Sequence, residues 1–361
     1  GALGDRRGQR GVLTRIVVWW SAFTAATAAA AGFAQLVCTQ FLFGAGEAGA
    51  YPNASGVIAR WFPKNERARA QGAVWAASRV GGALSPLLVV PLLHEIGWRG
   101  MFCALAGVGL IWAALWRRWY RDLPASQPGI TAAELAEIPA PVPRPHGAHV
   151  WRALVRSRQT WLVVAMYWCY VWGSWFYFSW FPTYLVRGAG FTEREMGVLS
   201  ALPFVLGCCG NLAGGFLSDR LARRYGLKVA RCGQASAALA VSSLLILALA
   251  FAKDKTLIVI LASLGFGVLD LMLPAAWALC LDLGRAHAGV LTGAMNSAGL
   301  AGGFVCTVLF GYLVRETGGY RAPLCTIAAM VMLSAILFTR IDPLRPVWGE
   351  EEDRAKPEPG R

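Results

Sequence analysis

Acidic and titratable side chains are scarce in this chain. Of 361 residues, 20 are Asp or Glu, 4 are His, and charged residues of both signs make up 15%, where soluble domains carry about a quarter. Of the His, only His146 and His149 lie close together, and no HExxH spacing occurs, which removes the zinc-hydrolase class. The nine cysteines (Cys38, Cys103, Cys169, Cys208, Cys209, Cys232, Cys280, Cys306 and Cys325) form no CxxC and no metal quartet. Their odd number and apolar surroundings make them small packing residues instead of a disulfide framework. A nucleophile paired with a base and a phosphate-cradling loop are also lacking, so the sequence reads as no enzyme, with no metal and no cofactor. No signal peptide is visible, and the chain opens on a polar loop without an initiator Met, as expected of a truncated chain.

What the chain does have is apolar length. Hydrophobic residues reach 56%, with 16 Trp and 41 Gly, and runs of about 18 to 25 residues, enough to cross a bilayer, recur about ten times. The expected spans are Val12 to Gly32, Gln35 to Ile58, Ala70 to Leu93, Met101 to Trp116, Trp161 to Phe181, Glu195 to Leu217, Val229 to Phe251, Thr256 to Leu281, Val290 to Leu313 and Leu324 to Phe338. Close-set glycines such as Gly44, Gly46 and Gly49, or Gly289 and Gly293, allow helix backbones to approach within a membrane. The net charge of +14 would suggest nucleic acid in a soluble protein. Here Arg6, Arg7, Arg10 and Arg15, then Arg60, Lys64, Arg67 and Arg69, the Arg-rich stretch from Arg117 to Arg158, and Arg220 to Arg231 all fall on connections that share one face if each span crosses once. The positive-inside rule places that face, with the N-terminal loop, the central linker and the C-terminus, in the cytoplasm. The basic excess is therefore topological, and the partner is a lipid bilayer, not nucleic acid.

The opening segment, Gly1-Ala-Leu-Gly-Asp5-Arg6-Arg-Gly-Gln-Arg10, returns in altered form as Gly215-Phe-Leu-Ser-Asp219-Arg220-Leu-Ala-Arg223-Arg224. Between the copies, residues 118–158 break the apolar rhythm with Arg121-Asp122, a proline series (Pro139, Pro141, Pro143, Pro145) and a short stretch, Ile130 to Ile138, in which Thr131 and Glu134 fit a capping box. Residues 1–117 thus form an N-terminal half, 118–158 a linker, 159–340 a C-terminal half and 341–361 a tail expected to be disordered. Four spans follow each copy, and two lie between the linker and the second. Equivalent halves would each place two helices before the loop, so the arithmetic gives about ten of twelve helices, the first two missing.

The repeated loop, the linker and the helix count resemble the major facilitator superfamily. Gly44-Ala-Gly-Glu47-Ala-Gly-Ala-Tyr-Pro52-Asn53 followed by Arg60-Trp-Phe-Pro63-Lys-Asn-Glu66-Arg67, then Trp180-Phe-Pro-Thr-Tyr-Leu185, and Pro274-Ala-Ala-Trp277-Ala-Leu continuing to Gly293-Ala-Met-Asn296-Ser-Ala-Gly299, resemble its anion:cation symporter family of hexuronate, galactonate and sialin-type carriers. The resemblance implies an all-α polytopic fold, a bacterial inner-membrane location, and proton-coupled symport of a small organic anion, such as a sugar acid, by a monomer. An anion exchanger or a transport-incompetent sensor or fragment is the alternative. The span Ala70 to Leu93 lacks the Gly-Pro-rich pattern associated with antiporters of the superfamily, which favours symport.

Candidate site residues follow. Glu47 lies inside a span, where a charge costs about 2.5 to 3.5 kcal/mol at the helix centre, so it must be protonated, paired or facing a wet cavity. The resemblance makes it the proton-coupling acid; a static partner of an Arg is the alternative. Asp270 falls outside the family pattern. Helical spacing sets it on one stripe with Pro274 and Trp277, facing a cavity and influencing coupling, or else bonded to a neighbouring helix. Arg79 is the Arg deepest in a span; its fork can grip an anion, pair with Glu47, or snorkel. Gln40 stands where the family commonly has an Arg, and Arg79 would replace some of that charge. Among the aromatics of Trp161 to Tyr184, most suit a membrane belt, and Tyr170 with Tyr177, seven apart, are the candidate substrate pair. Trp277 and Asn296 match positions resembling substrate contacts. Gly1, Asp5, Arg6, Arg10, Gly215, Asp219, Arg220 and Arg224 would form a cytoplasmic gate that opens as the halves rock, the other reading being a solvated topogenic loop.

Overall fold

A chain buried in hydrocarbon must satisfy its own backbone N–H and C=O groups, which favours helices over irregular structure. The computed structural model describes residues 2–138 and 148–348, and among these the regular elements are all helical. Gly1, the proline series and the tail beyond Trp348 lie outside the described residues. Each expected span is helical over most of its length. In order, α1 (Ala2–Arg7), α2 (Gln9–Ala28), α3 (Phe33–Glu47), α4 (Ala50–Trp61) and α5 (Arg67–Trp119) precede the linker helices α6 (Ala132–Glu137) and α7 (Ala148–Arg156). Then come α8 (Arg158–Ser179), a single turn α9 (Phe181–Thr183), α10 (Glu193–Leu199), α11 (Leu202–Tyr225), α12 (Gln234–Leu249), α13 (Lys255–Asp270), α14 (Leu273–Gly284), α15 (Ala288–Thr317) and α16 (Arg321–Thr339). Five stretches among the described residues are long and apolar enough to cross a membrane, including Leu88–Trp119 and Lys255–Thr317. Large apolar side chains such as Phe41, Ile111, Phe216 and Phe304 stand exposed on helix exteriors, the reverse of a water-facing surface.

Proline and glycine set where these helices turn. Gly97 takes φ 68 inside α5, a left-handed conformation that costs glycine least, and it divides α5 into the two expected spans. Pro52, Pro203 and Pro274 each stand two residues or fewer inside a new helix, after breaks at Ala48–Gly49, Ser200–Ala201 and Leu271–Met272. A proline removes the N–H that would bond four residues back and crowds that carbonyl. The acids Glu47 and Asp270 are each the last residue of the helix before such a break.

Helices α2 to α5 pack as one group and α8 to α16 as another, and the groups meet along α5 with α11 and α14, and along α4 with α15. The α5/α11 seam is closed by glycines: a Cβ on Gly72 would stand 2.6 Å from the Asn211 carbonyl oxygen, and one on Gly215 2.6 Å from that of Ala68. In the linker, the Thr131–Glu134 capping box forms, and its backbone and side-chain hydrogen bonds hold the Glu134 carboxyl below its ordinary range. The tail departs from the expected disorder. Through Trp348 it is packed: Val347 N donates to the Leu283 carbonyl at 3.1 Å, and the Trp348 indole N–H donates to that of Val150 at 3.2 Å. Its average composition is polar, but Ile341, Val347 and Trp348 are buried anchors within it.

Candidate functional site

Between the two helix groups lies a cavity of about 570 Å³, within the size range of small-molecule sites. The first group supplies Gly44, Glu47, Tyr51, Trp75, Ser78 and Arg79; the second supplies Tyr167, Tyr170, Ser174 and Trp175 of α8, and Asn296 and Gly299 of α15. Polar groups on an apolar, aromatic wall can orient an ion and hold water. Glu47 has no ion pair among the described residues, so the expected alternative of a pair with Arg79 is not what the structure forms.

Arg79 pairs instead with Asp270. Its Nε donates to Oδ2 at 2.6 Å and its Nη2 to Oδ1 at 3.0 Å. Asn211 Nδ2 donates to Oδ2 at 2.9 Å and the Tyr170 hydroxyl to Oδ1 at 3.4 Å. Asp270 is 0% exposed and does not line the cavity; it stands behind Arg79, which does. The stripe with Pro274 and Trp277 is not continuous either, because the helix breaks after Asp270.

Trp277 is fully buried and is not in the cavity wall. Its indole N–H donates to the Tyr167 hydroxyl at 3.3 Å. Its ring lies 5.3 Å from Trp75, which stacks on Tyr51 at 4.3 Å. These four rings, two from each group, form one aromatic cluster across the two groups, with Tyr51, Trp75 and Tyr167 in the cavity wall. Tyr177 is 1% exposed, set against Phe266 and Phe181, and so is separated from Tyr170. Gln40 lies in a different, smaller hollow with Trp20 and Thr24, donating to Thr27 Oγ1 at 3.2 Å. The cavity thus gathers Glu47, Arg79, Tyr170 and Asn296, and leaves out Gln40, Tyr177, Trp277 and Asp270. The residues that reading by motif missed are Tyr51, Trp75, Ser78, Tyr167 and Asn211. Tyr51 was legible as lying one turn beyond Glu47.

At the linker end, the repeated motif is helical instead of a loop. The Asp219 carboxylate accepts from the backbone N–H of Arg69 at 2.7 Å and of Ala68 at 3.3 Å, in the first turn of α5, where the helix dipole favours an anion. Asp5 lies reciprocally against Gly289 in the first turn of α15. Arg231, 0% exposed, joins Asp219 and Asp282 at 3.1 Å each, and Arg67 reaches Asp282 at 3.5 Å. Arg10 holds the Arg117 carbonyl and, through its backbone N–H, Asp122. Arg6, Arg220 and Arg224 are exposed and outside this cage, their places taken by Arg67 and Arg231. Gly1 is outside the described residues.

A family model for the Major Facilitator Superfamily matches residues 1–307. The chain is 35% identical over 361 residues to the probable sulfoacetate transporter SauU of Cupriavidus necator, covering 98% of this chain and 83% of the relative. It is 28% identical to the hexuronate transporter of Bacillus subtilis, covering 97% and 82%, and 28% identical to the D-galactonate transporter of Escherichia coli, covering 92% and 80%. Among solved structures, the Escherichia coli fucose:proton symporter superposes with a TM-score of 0.71 at 13% identity, over 95% of this chain and 86% of that one. A human organic anion transporter gives 0.71 at 16% identity, over 94% and 79%. These likenesses establish the fold.

Proposed function

This chain belongs to the major facilitator superfamily, and from that premise we propose that it is a proton-coupled symporter of a small organic anion, working as a monomer in a bacterial inner membrane with its linker end in the cytoplasm. The observation that carries this reading is the meeting of Glu47 and Arg79 in one cavity lined by both helix groups. An unpaired carboxyl in such a place can take and release a proton as its surroundings change, and a guanidinium can bind a carboxylate or sulfonate. Tyr51, Ser78, Tyr167, Tyr170, Ser174 and Asn296 add donors and acceptors for hydroxyls. The basic excess at the linker end supports the orientation. The relatives named for sulfoacetate, hexuronate and galactonate support an anion as substrate. A hydroxylated sugar acid suits the polar lining, while the 35% identical relative puts a short sulfonated acid in the same assay.

The test is uptake of labelled sulfoacetate, galactonate and glucuronate into vesicles carrying the protein expressed from its complete reading frame, with and without an imposed inward proton gradient. At least one acid accumulates only with the gradient. Glu47→Gln abolishes that accumulation while leaving exchange of internal for external anion. Wild-type protein that moves none of these acids would overturn the carrier, and gradient-driven accumulation by Glu47→Gln would remove the proton role of Glu47.

A further inference from the structure

The cavity's cation is already occupied by an anion of the chain itself. Arg79 and Asp270 are 5% and 0% exposed, and the rings of Phe266, Phe178 and Trp75 stand 5.1, 5.2 and 5.9 Å from the guanidinium carbon. The pair joins α5 of one helix group to α13 of the other, 191 residues apart in sequence. Its two members differ in access: Arg79 lines the cavity and Asp270 does not.

Asp270 is the last residue of α13, where the carbonyl end of a helix disfavours a carboxylate. Its own helix therefore does not hold it; its partners do. Asn211 and Tyr170 each bond one of its oxygens, and Gly207 leaves room for it, since a Cβ there would stand 2.7 Å from Oδ2. Asp270 also corresponds to Glu47 by position. Each is the acid before the proline break in the second span after a copy of the repeated motif. One faces the cavity unpaired and the other is paired behind its wall.

Removing one partner of a buried ion pair is costly because it orphans a charge. Exchanging one carboxylate for another leaves the guanidinium paired throughout, and Asn211 and Tyr170 remain to hold the displaced oxygens. Resting on the carrier reading above, we propose that Asp270 is the resident counter-anion of the substrate site: an incoming carboxylate or sulfonate takes the donors of Arg79 from it, and Asp270 reclaims them when the substrate leaves. Because the pair bridges the helix groups, the exchange also loosens a bond between them when substrate is bound. Competition from Asp270 weakens binding and speeds release.

The experiment measures equilibrium binding of the acid that wild-type protein takes up, by thermal-shift titration of the complete protein in detergent. Asp270→Asn binds it about tenfold or more tighter, the scale of a lost charged competitor, and releases it more slowly, so net uptake falls. Asn211→Ala, which removes a donor that holds the Asp270 carboxylate once Arg79 has left it, binds the acid more weakly than wild type, and carries the test if Asp270→Asn does not fold. Arg79→Gln combined with Asp270→Asn binds no acid. Unchanged or weaker binding in Asp270→Asn, or unchanged or tighter binding in Asn211→Ala, with wild-type uptake intact, overturns the counter-anion role and leaves the carrier standing. Absence of wild-type uptake overturns both.

Discussion

Tyr170 and Tyr177 sit on nearly the same face of α8, yet their hydroxyls meet different chemistry. Tyr170 reaches Asp270 and borders the cavity, whereas Tyr177 turns its hydroxyl toward Gly265, where it finds no hydrogen-bond partner among the described residues. A buried hydroxyl without a partner costs about 1 to 3 kcal/mol, so Tyr177→Phe removes a penalty. It is expected to leave uptake unchanged and raise the melting temperature slightly, while Tyr170→Phe, which also loosens Asp270, changes substrate affinity. Parallel uptake and thermal-melt measurements check this, and loss of uptake in Tyr177→Phe would return that residue to the substrate pair. Helical spacing placed both tyrosines correctly on their own helix. Which neighbour covers each turn was not legible, because α13 comes to lie against α8 from about a hundred residues away. Glu47, by contrast, was legible from its cost in an apolar span.

At the scale of elements, the α5/α11 seam decides how tightly the linker end closes. Asp219 reaches the first turn of α5 because Gly72 and Gly215 let the two backbones approach. Gly72→Leu puts a side chain against the Asn211 carbonyl, and overpacking of this kind costs about 1 to 3 kcal/mol. The expected outcome is a linker end that opens more often: thiol labelling at an Ala68→Cys reporter, buried in the parent, rises roughly fivefold or more. Unchanged labelling would mean that the seam does not control closure. The glycines were readable as small packing residues, but nothing in their spacing told contacts within one helix group from contacts between the two. The proline breaks were equally visible as residues. Their effect on Asp270 was missed because a stripe at i, i+4 and i+7 assumes an unbroken helix.

The whole molecule is tied together at its linker end by segments remote in sequence. The linker helix α7 buries Val150 and Leu154, and Trp348 of the tail packs against His287 with ring centroids 5.0 Å apart while bonding the Val150 carbonyl. Trp348→Ala is expected to destabilise the protein by about 3 kcal/mol, the lower range for burying and then deleting a Trp, read as a lower melting temperature with substrate affinity unchanged, since Trp348 is not among the residues that line the cavity. An unaltered melting temperature would show that this strap carries no stability. By itself the sequence determined the solvent, the helical class, the repeated motif and the span positions, because hydropathy, charge bias and repeated motifs are local or summed properties of the chain. Tertiary structure alone decided that Arg79 faces Asp270 instead of Glu47, that Gln40, Tyr177 and Trp277 stand outside the cavity, and that the tail's last described residues are packed. Each of these depends on which helix face meets which, and that is settled by close packing between segments that the chain brings together from far apart.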